Sequence, residues 1–236
     1  MTNYILTANH IQKKYNGNIV LRDISIQLNK GEIYGLVGRN GSGKTTLLRI
    51  LTGQIQRYSG TVSLEESTGR KTKVSAVIDS PSLFLNLTAF ENMKEQSLLL
   101  GMHDDGRINQ VLKIVGLEGC NNKLAKNFSL GMTQRLKLGM ALLENPDILI
   151  LDEPVNGLDP EGIADLRGLL IQLNQTSGIT IIVSSHILSE LEQIVTCLGI
   201  LHDGEIVKEV STADVFQNGN TLESLYMQYT RGGKLQ

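Results

Sequence analysis

Ile33-Tyr34-Gly35-Leu36-Val37 runs directly into Gly38-Arg39-Asn40-Gly41-Ser42-Gly43-Lys44-Thr45, and Thr46 with LLRIL follows. The five apolar residues read as a buried strand. The next eight match the spacing GxxxxGK[ST], and residues 45–51 carry a helical pattern that Gly53 is placed to end. Strand, glycine-rich turn and helix in that order make a phosphate-binding loop. The glycines let the backbone wrap a phosphate with its N–H groups turned inward. A helix starting near Lys44 adds unpaired N–H groups and the positive end of its dipole. Lys44 offers a point charge to β- and γ-phosphates, and Thr45 offers a hydroxyl to Mg²⁺. Gly38, Arg39, Asn40, Gly41, Ser42, Gly43, Lys44, Thr45 and Thr46 are therefore the candidate nucleotide contacts.

Outward from this loop, ILIL at 148–151 is a second apolar strand, and it ends in Asp152-Glu153-Pro154. A buried parallel strand delivers its C-terminal residues to the crevice where the phosphate loop also lies. Asp152 is placed to help hold Mg²⁺, and Glu153 to orient or deprotonate an attacking water. ITIIV at 179–183 is the next strand, and His186 leaves its end, positioned to bond a γ-phosphate or to hold Glu153. A helical pattern at 162–174 lies between these strands, which argues for a parallel sheet with crossover helices.

Earlier, Ile24, Ile26 and Leu28 alternate with polar neighbours as in a half-buried strand, and 61–64 and 74–78 are further strand candidates. Helical patterns fill 89–100, 107–115 and 133–143. Asp203-Gly204 predicts a two-residue hairpin turn within CLGILHDGEIVKEV, and TLESLYMQYT predicts a short terminal helix. The expected fold is α/β. Residues 1–80 and 145–236 form a nucleotide-binding core with a mixed sheet, crossover helices and an antiparallel N-terminal β part. Residues 81–144 are a helical insertion.

The formal net charge is −2, so no global basic field is available to hold nucleic acid or an anionic membrane. No apolar run approaches the roughly 20 residues of a membrane helix. The first fifteen residues carry polar groups where a secretory core would be apolar. Cys120 and Cys197 form no CxxC pair, which disfavours a disulfide framework or zinc site and fits a reducing compartment. A guanine-specific NKxD motif is missing: Asn122-Lys123-Leu124-Ala125 lacks its Asp.

NFSLGMTQRLKLGMALLENPDILILDEP, ending at Pro154, resembles the signature segment of ABC transporter ATP-binding subunits running into their second carboxylate-bearing strand. Against the family pattern LSGGQ, Phe128 stands at Leu, Ser129 at Ser, Leu130 at the first Gly, Gly131 at the second and Met132 at Gln. The resemblance implies that the Ser129 hydroxyl and Gly131 N–H contact a γ-phosphate held by another copy. Ser129 is equally a good cap for the helix that follows, and the two roles are compatible. The likeness covers nearly the whole chain. It implies that Tyr15 stacks on adenine, although a plain core or surface tyrosine is the alternative. It places Asp159, in Asn156-Gly157-Leu158-Asp159, across the interface to a partner.

The segment VIDSPSLFLNLTAFENM departs from the family, because Asp79 stands where most members have Gln and the lantibiotic- and bacitracin-type subgroup has Glu. Asp is one methylene shorter, about 1.5 Å less reach. Asp79 is left between contacting Mg²⁺ water and capping the loop before Ser80-Pro81.

The resemblance implies an ATPase that uses ATP and Mg²⁺ and powers a separate integral membrane permease. ATP would close two cassettes head to tail, as a homodimer or with a similar cassette, at the cytoplasmic face of the membrane. The subgroup implies export of, or immunity to, an antimicrobial peptide. The alternative is a soluble ATPase of the same family acting on ribosomes or DNA, and a small-molecule kinase would leave Ser129, Gly131 and His186 without roles. No nucleic-acid partner is expected.

Overall fold

The computed structural model describes residues 4–67, 70–79, 83–120, 122–217 and 221–231. The chain begins with two long strands, β1 (Tyr4–Tyr15) and β2 (Asn18–Asn29), then β3 (Ile33–Val37), helix α1 (Lys44–Leu51), β4 (Ser59–Leu64), the short β5 (Glu66–Ser67) and β6 (Arg70–Lys71), and β7 (Val74–Val77). Three helices follow, α2 (Ala89–Leu99), α3 (Asp105–Ile114) and α4 (Leu130–Leu142). The chain then returns through β8 (Ile148–Asp152), α5 (Pro160–Ser177), β9 (Thr180–Ser185), α6 (Leu188–Leu191), β10 (Cys197–His202), β11 (Glu205–Ser211), α7 (Thr212–Gln217) and α8 (Leu222–Arg231).

Among the described residues, the main sheet has the order β11-β10-β3-β9-β8-β7. Strands β10, β3, β9, β8 and β7 are parallel, and β11 closes one edge antiparallel to β10. A separate antiparallel sheet, β2-β1-β4, forms the N-terminal β part. The chain is thus α/β with a mixed sheet, as expected from the alternation of apolar strands and helical patterns.

The central strands β10, β3, β9 and β8 are buried on both faces, and their residues divide between two cores by parity. Tyr34, Leu36, Ile148, Ile150 and Ile182 enter a core shared with α1 and the antiparallel sheet. Ile33, Val37, Leu149, Leu151, Ile181 and Val183 enter a second core shared with α5 and with α2, α3 and α4. The same rule puts Asp152 and Ser184, each two residues further along its strand, on the α1 side. That alignment aims the polar strand ends at the phosphate loop.

Helix ends follow their capping chemistry. Asp159 caps α5 by accepting from the Gly162 N–H at 3.0 Å, with Pro160 at the first turn. Gly178, at φ 66°, ends the same helix. Thr88 and Glu91 form a capping box at α2. The buried side chain of Asn92 accepts from the Phe84 N–H at 2.8 Å and donates to the Thr88 carbonyl at 2.9 Å, which pins the entry to α2. The predicted hairpin turn is present, with Asp203 at φ 46° and Gly204 at φ 81°. No helix among the described residues is long and apolar enough to cross a membrane.

Candidate active site

The phosphate loop leaves β3 and enters α1 through two glycines that permit no substitute. A Cβ on Gly38 would stand 2.4 Å from the Leu201 carbonyl oxygen. Gly43 sits at φ 109°, and a Cβ there would be 2.7 Å from the Leu21 side chain. The loop lines a cleft of about 260 Å³ together with Val20 and Glu153. That is at the small end for ligand sites, room for phosphates rather than for a whole nucleotide. The Ser42 hydroxyl of the same loop is buried beside Gly38, outside the cleft lining, without a hydrogen-bond partner. The cleft is lined instead by the first residues of α1 and the Lys44 ammonium, which suit an incoming oxygen-rich anion.

Lys44 is only 5% exposed, and its ammonium is fully engaged. It donates to the Gly38 carbonyl at 2.7 Å and to the Arg39 carbonyl at 3.3 Å, and lies 3.2 Å from Glu153 Oε1. These three acceptors match its three protons. Thr45 Oγ1 donates to Asp152 Oδ2 at 2.6 Å. One hydroxyl and one carboxylate are a sparse hard-oxygen set, which suits Mg²⁺, an ion that keeps waters and takes the rest of its shell from phosphates.

Glu153 occupies the left-handed region at φ 47°. For a non-glycine residue this costs on the order of 1–3 kcal/mol and must be held by its surroundings. Its Oε2 lies 2.8 Å from His186 Nδ1. A carboxylate only accepts, so Nδ1 is the donor. The carboxylate is thereby clamped between Lys44 and His186. Ser184, on β9, was not picked out from the sequence. It donates to Asp152 Oδ1 at 2.5 Å and accepts from the Glu153 N–H at 2.9 Å.

Ser129, Gly131 and Asp159 do not line the phosphate cleft. They share a separate, larger cleft of about 520 Å³, which the carboxylates Asp152 and Glu153 do not reach. Ser129 caps α4 by accepting from the Met132 N–H at 3.2 Å. Leu130, in place of a family glycine, is 46% exposed and points at the Gly157 turn. Arg135 braces this cleft from α4, with an ion pair to Asp165 at 2.6 Å.

Tyr15 lies at the β1–β2 hairpin tip, paired with Asn18, and is 42% exposed. It does not line the phosphate cleft, although Val20 of the same hairpin does. Lys13 Nζ sits 4.6 Å from the centre of its ring. Asp79, at φ 57°, pairs with Arg49 in the last turn of α1. This partner belongs to neither alternative raised for Asp79, and Ser80 and Pro81 lie outside the described residues. The hydrogen bond that Arg49 donates to Asp79 raises the Arg49 pKa, with smaller contributions from Tyr15 and Asp152.

The ABC transporter family profile matches residues 21–156. A shorter match to a family described as an AAA domain, putative AbiEii toxin, covers residues 124–192. The chain is 40% identical over 235 residues to the uncharacterized ABC transporter ATP-binding protein YcbN of Bacillus subtilis, covering 97% of this chain and 76% of that one. It is 42% identical to the bacitracin transport ATP-binding protein BcrA of Bacillus licheniformis, over 87% of this chain and 69% of that one. It is 37% identical to the lantibiotic transport ATP-binding protein SrtF of Streptococcus pyogenes, over 94% and 96%. Among solved structures, a nucleotide-free ATP-binding cassette from an ABC transporter superposes with a TM-score of 0.81 at 23% identity, covering 91% of this chain and 94% of that one. This last likeness speaks for the fold. Family profile, relatives and architecture agree that the chain belongs to the ATP-binding proteins of ABC transporters, which hydrolyse ATP to power transport.

Proposed function

We propose that two copies of this chain, or one copy and a similar cassette, share each ATP between the phosphate loop of one and the Ser129–Gly131 segment of the other. The observation that carries this reading is the division of the motif residues between two clefts of one chain. One holds the phosphate loop and Glu153. The other holds two helix N-termini, at Ser129 and Asp159, whose leading N–H groups suit an anion brought from outside. A closed two-fold pair makes both sites equivalent.

In the proposed roles, Gly38, Arg39, Asn40, Gly41, Ser42, Gly43, Lys44, Thr45 and Thr46 receive the triphosphate, and Tyr15 the base. Thr45 and Asp152 would hold Mg²⁺, which when bound offsets charge on the phosphates. Lys44 exchanges its Glu153 contact for phosphate oxygens. Oε1 is then free to accept a proton from the attacking water while His186 keeps Oε2 in place. Asp79 acts through Arg49. Residues 81–144 form the helical insertion that passes closure to a separate membrane permease at the cytoplasmic face. The relatives named for bacitracin and lantibiotic transport point to an antimicrobial peptide as cargo. Nothing among the described residues favours the alternative of action on ribosomes or DNA.

The test uses Glu153→Gln with saturating ATP and Mg²⁺, followed by light scattering. Hydrolysis is expected to fall by roughly 10²–10⁴, the usual worth of a general base, and mass to double. A monomer at saturating ATP would count against a site shared between two copies of this chain.

A further inference from the structure

Strand β9 ends in two buried serines, and the first of them sits at a junction. Ser184 is in parallel register with Asp152, so the two side chains leave neighbouring strands on the same face. Ser184 is fully buried. Its hydroxyl has one proton and gives it to Asp152 Oδ1 at 2.5 Å. The other Asp152 oxygen takes the Thr45 hydroxyl at 2.6 Å. Both carboxylate oxygens are therefore assigned, and rotation about the side chain would break one bond or the other.

The same Ser184 oxygen accepts the Glu153 N–H at 2.9 Å. β8 stops at Asp152, so Glu153 lies beyond the ladder, while the neighbouring Ser185 carbonyl already accepts from the Gly38 N–H of the phosphate loop at 3.3 Å. The Ser184 side chain supplies the acceptor that the ladder no longer offers. It does so where the backbone turns to φ 47°, the turn that carries the Glu153 side chain between Lys44 and His186.

We propose that Ser184 is a positioning residue for ATP hydrolysis: one hydroxyl fixes the rotamer of Asp152 and the left-handed turn at Glu153, coupling the two carboxylates. This rests on the roles given to Asp152 and Glu153 above. It acts on the rate rather than on nucleotide capture, because no phosphate-loop residue depends on it directly.

The experiment compares Ser184→Ala, Ser184→Thr and Ser184→Cys in full-length protein. Partners standing behind a reacting group are typically worth about 10–100-fold. Ser184→Ala is expected to lower kcat by roughly that factor with KM for ATP little changed. In the protein free of metal and nucleotide, the Glu153 amide is expected to exchange with solvent about tenfold faster, as for a buried donor deprived of its acceptor. Ser184→Thr keeps the hydroxyl and should restore both. If the added methyl prevents folding, Ser184→Cys serves instead: close in size but a weak donor and acceptor, it should melt near wild type and still behave like alanine.

A Ser184→Ala or Ser184→Cys enzyme within about twofold of the wild-type kcat overturns the proposal, since even the low end of the usual range is larger. So does a kcat loss with wild-type protection of the Glu153 amide. Glu153→Gln measured alongside separates the two layers. If it hydrolyses ATP normally, the role of Glu153 is wrong. If it is inert while Ser184→Ala is normal, only the role of Ser184 is.

Discussion

The two clefts that carry the motifs are built on opposite plans. At the phosphate loop the side chains that carry the chemistry are tied to one another: Lys44 to two carbonyls and Glu153, Thr45 and Ser184 to Asp152, Glu153 to His186. At the other cleft Ser129 and Asp159 make only the local bonds of helix caps, and both are exposed. The first is preorganised within the chain, and binding there exchanges existing contacts for new ones. The second presents unpaired N–H groups to whatever arrives. This asymmetry suits a site assembled from two chains. It also means that damage to the two halves should differ in kind.

The sharpest way to break the comparison is Lys44→Ala. Removing the ammonium strips the loop of its buried charge and leaves Glu153 facing His186 alone. Loss of a preorganised electrostatic group costs roughly 10²–10³ in rate, and ATP binding should fall with it. Phosphate release assays with equilibrium binding would check this. Full activity would remove the phosphate loop from the mechanism.

On the other side, Ser129→Ala should leave ATP binding by the single chain intact, lower hydrolysis, and cost about 1 kcal/mol of stability through the lost cap. Ser129→Gly sharpens the point. Glycine is a tolerable cap, only a few tenths of a kcal/mol worse than serine, but has no hydroxyl. If the hydroxyl serves phosphate, hydrolysis stays low in both variants while the glycine variant recovers its melting temperature. If serine is only a cap, activity returns together with stability.

The same contrast explains what could be read from the chain alone. The phosphate loop and the pair Asp152-Glu153 are contiguous patterns at strand ends, so their chemistry is written locally. The hairpin at Asp203-Gly204 is likewise a two-residue signal. Strand β1 carries no such local signal. Ile5, Leu6, Ala8 and Ile11 are buried, and His10 turns left-handed at φ 54° where the register slips, so no single period-2 pattern survives. Ser184 carries no local signal because its meaning lies in its register with Asp152 on a strand 32 residues away. Arg49 stayed hidden for the same reason: nothing near it in sequence announces Asp79. The helix patterns at 162–174 and 133–143 begin late, because Pro160-Glu161 and Leu130-Gly131-Met132 open α5 and α4 with residues that carry little apolar periodicity.

The smallest effect comes from a polar pair, the buried Tyr34 and Glu209 on the exposed edge strand β11, that serves as an outside reference for both clefts. Tyr34, on the strand that feeds the phosphate loop, donates its hydroxyl to Glu209 Oε1 at 2.7 Å, in the space left by Gly199. Burial raises the Glu209 pKa, and nearby Glu32 adds to this, against the Tyr34 hydrogen bond, which lowers it. Burial likewise raises Tyr34, and pushes the neighbouring Cys197 thiol up to about 12, so both stay neutral across the working range. A carboxyl whose pKa is higher in the fold than in the unfolded chain contributes stability below the ordinary carboxylate range and loses it as pH rises through the raised value. Glu209→Gln keeps an acceptor for Tyr34 and does not titrate. Its melting temperature relative to wild type should therefore climb slightly as pH rises out of the ordinary carboxylate range and through the raised Glu209 value, which thermal melts across a pH series would read. ATP hydrolysis should not move. A melting difference that is flat with pH would mean that Glu209 is already solvated enough to ionise freely. A change in hydrolysis would mean that the phosphate-loop end of β3 is not as self-contained as its interlocked side chains imply.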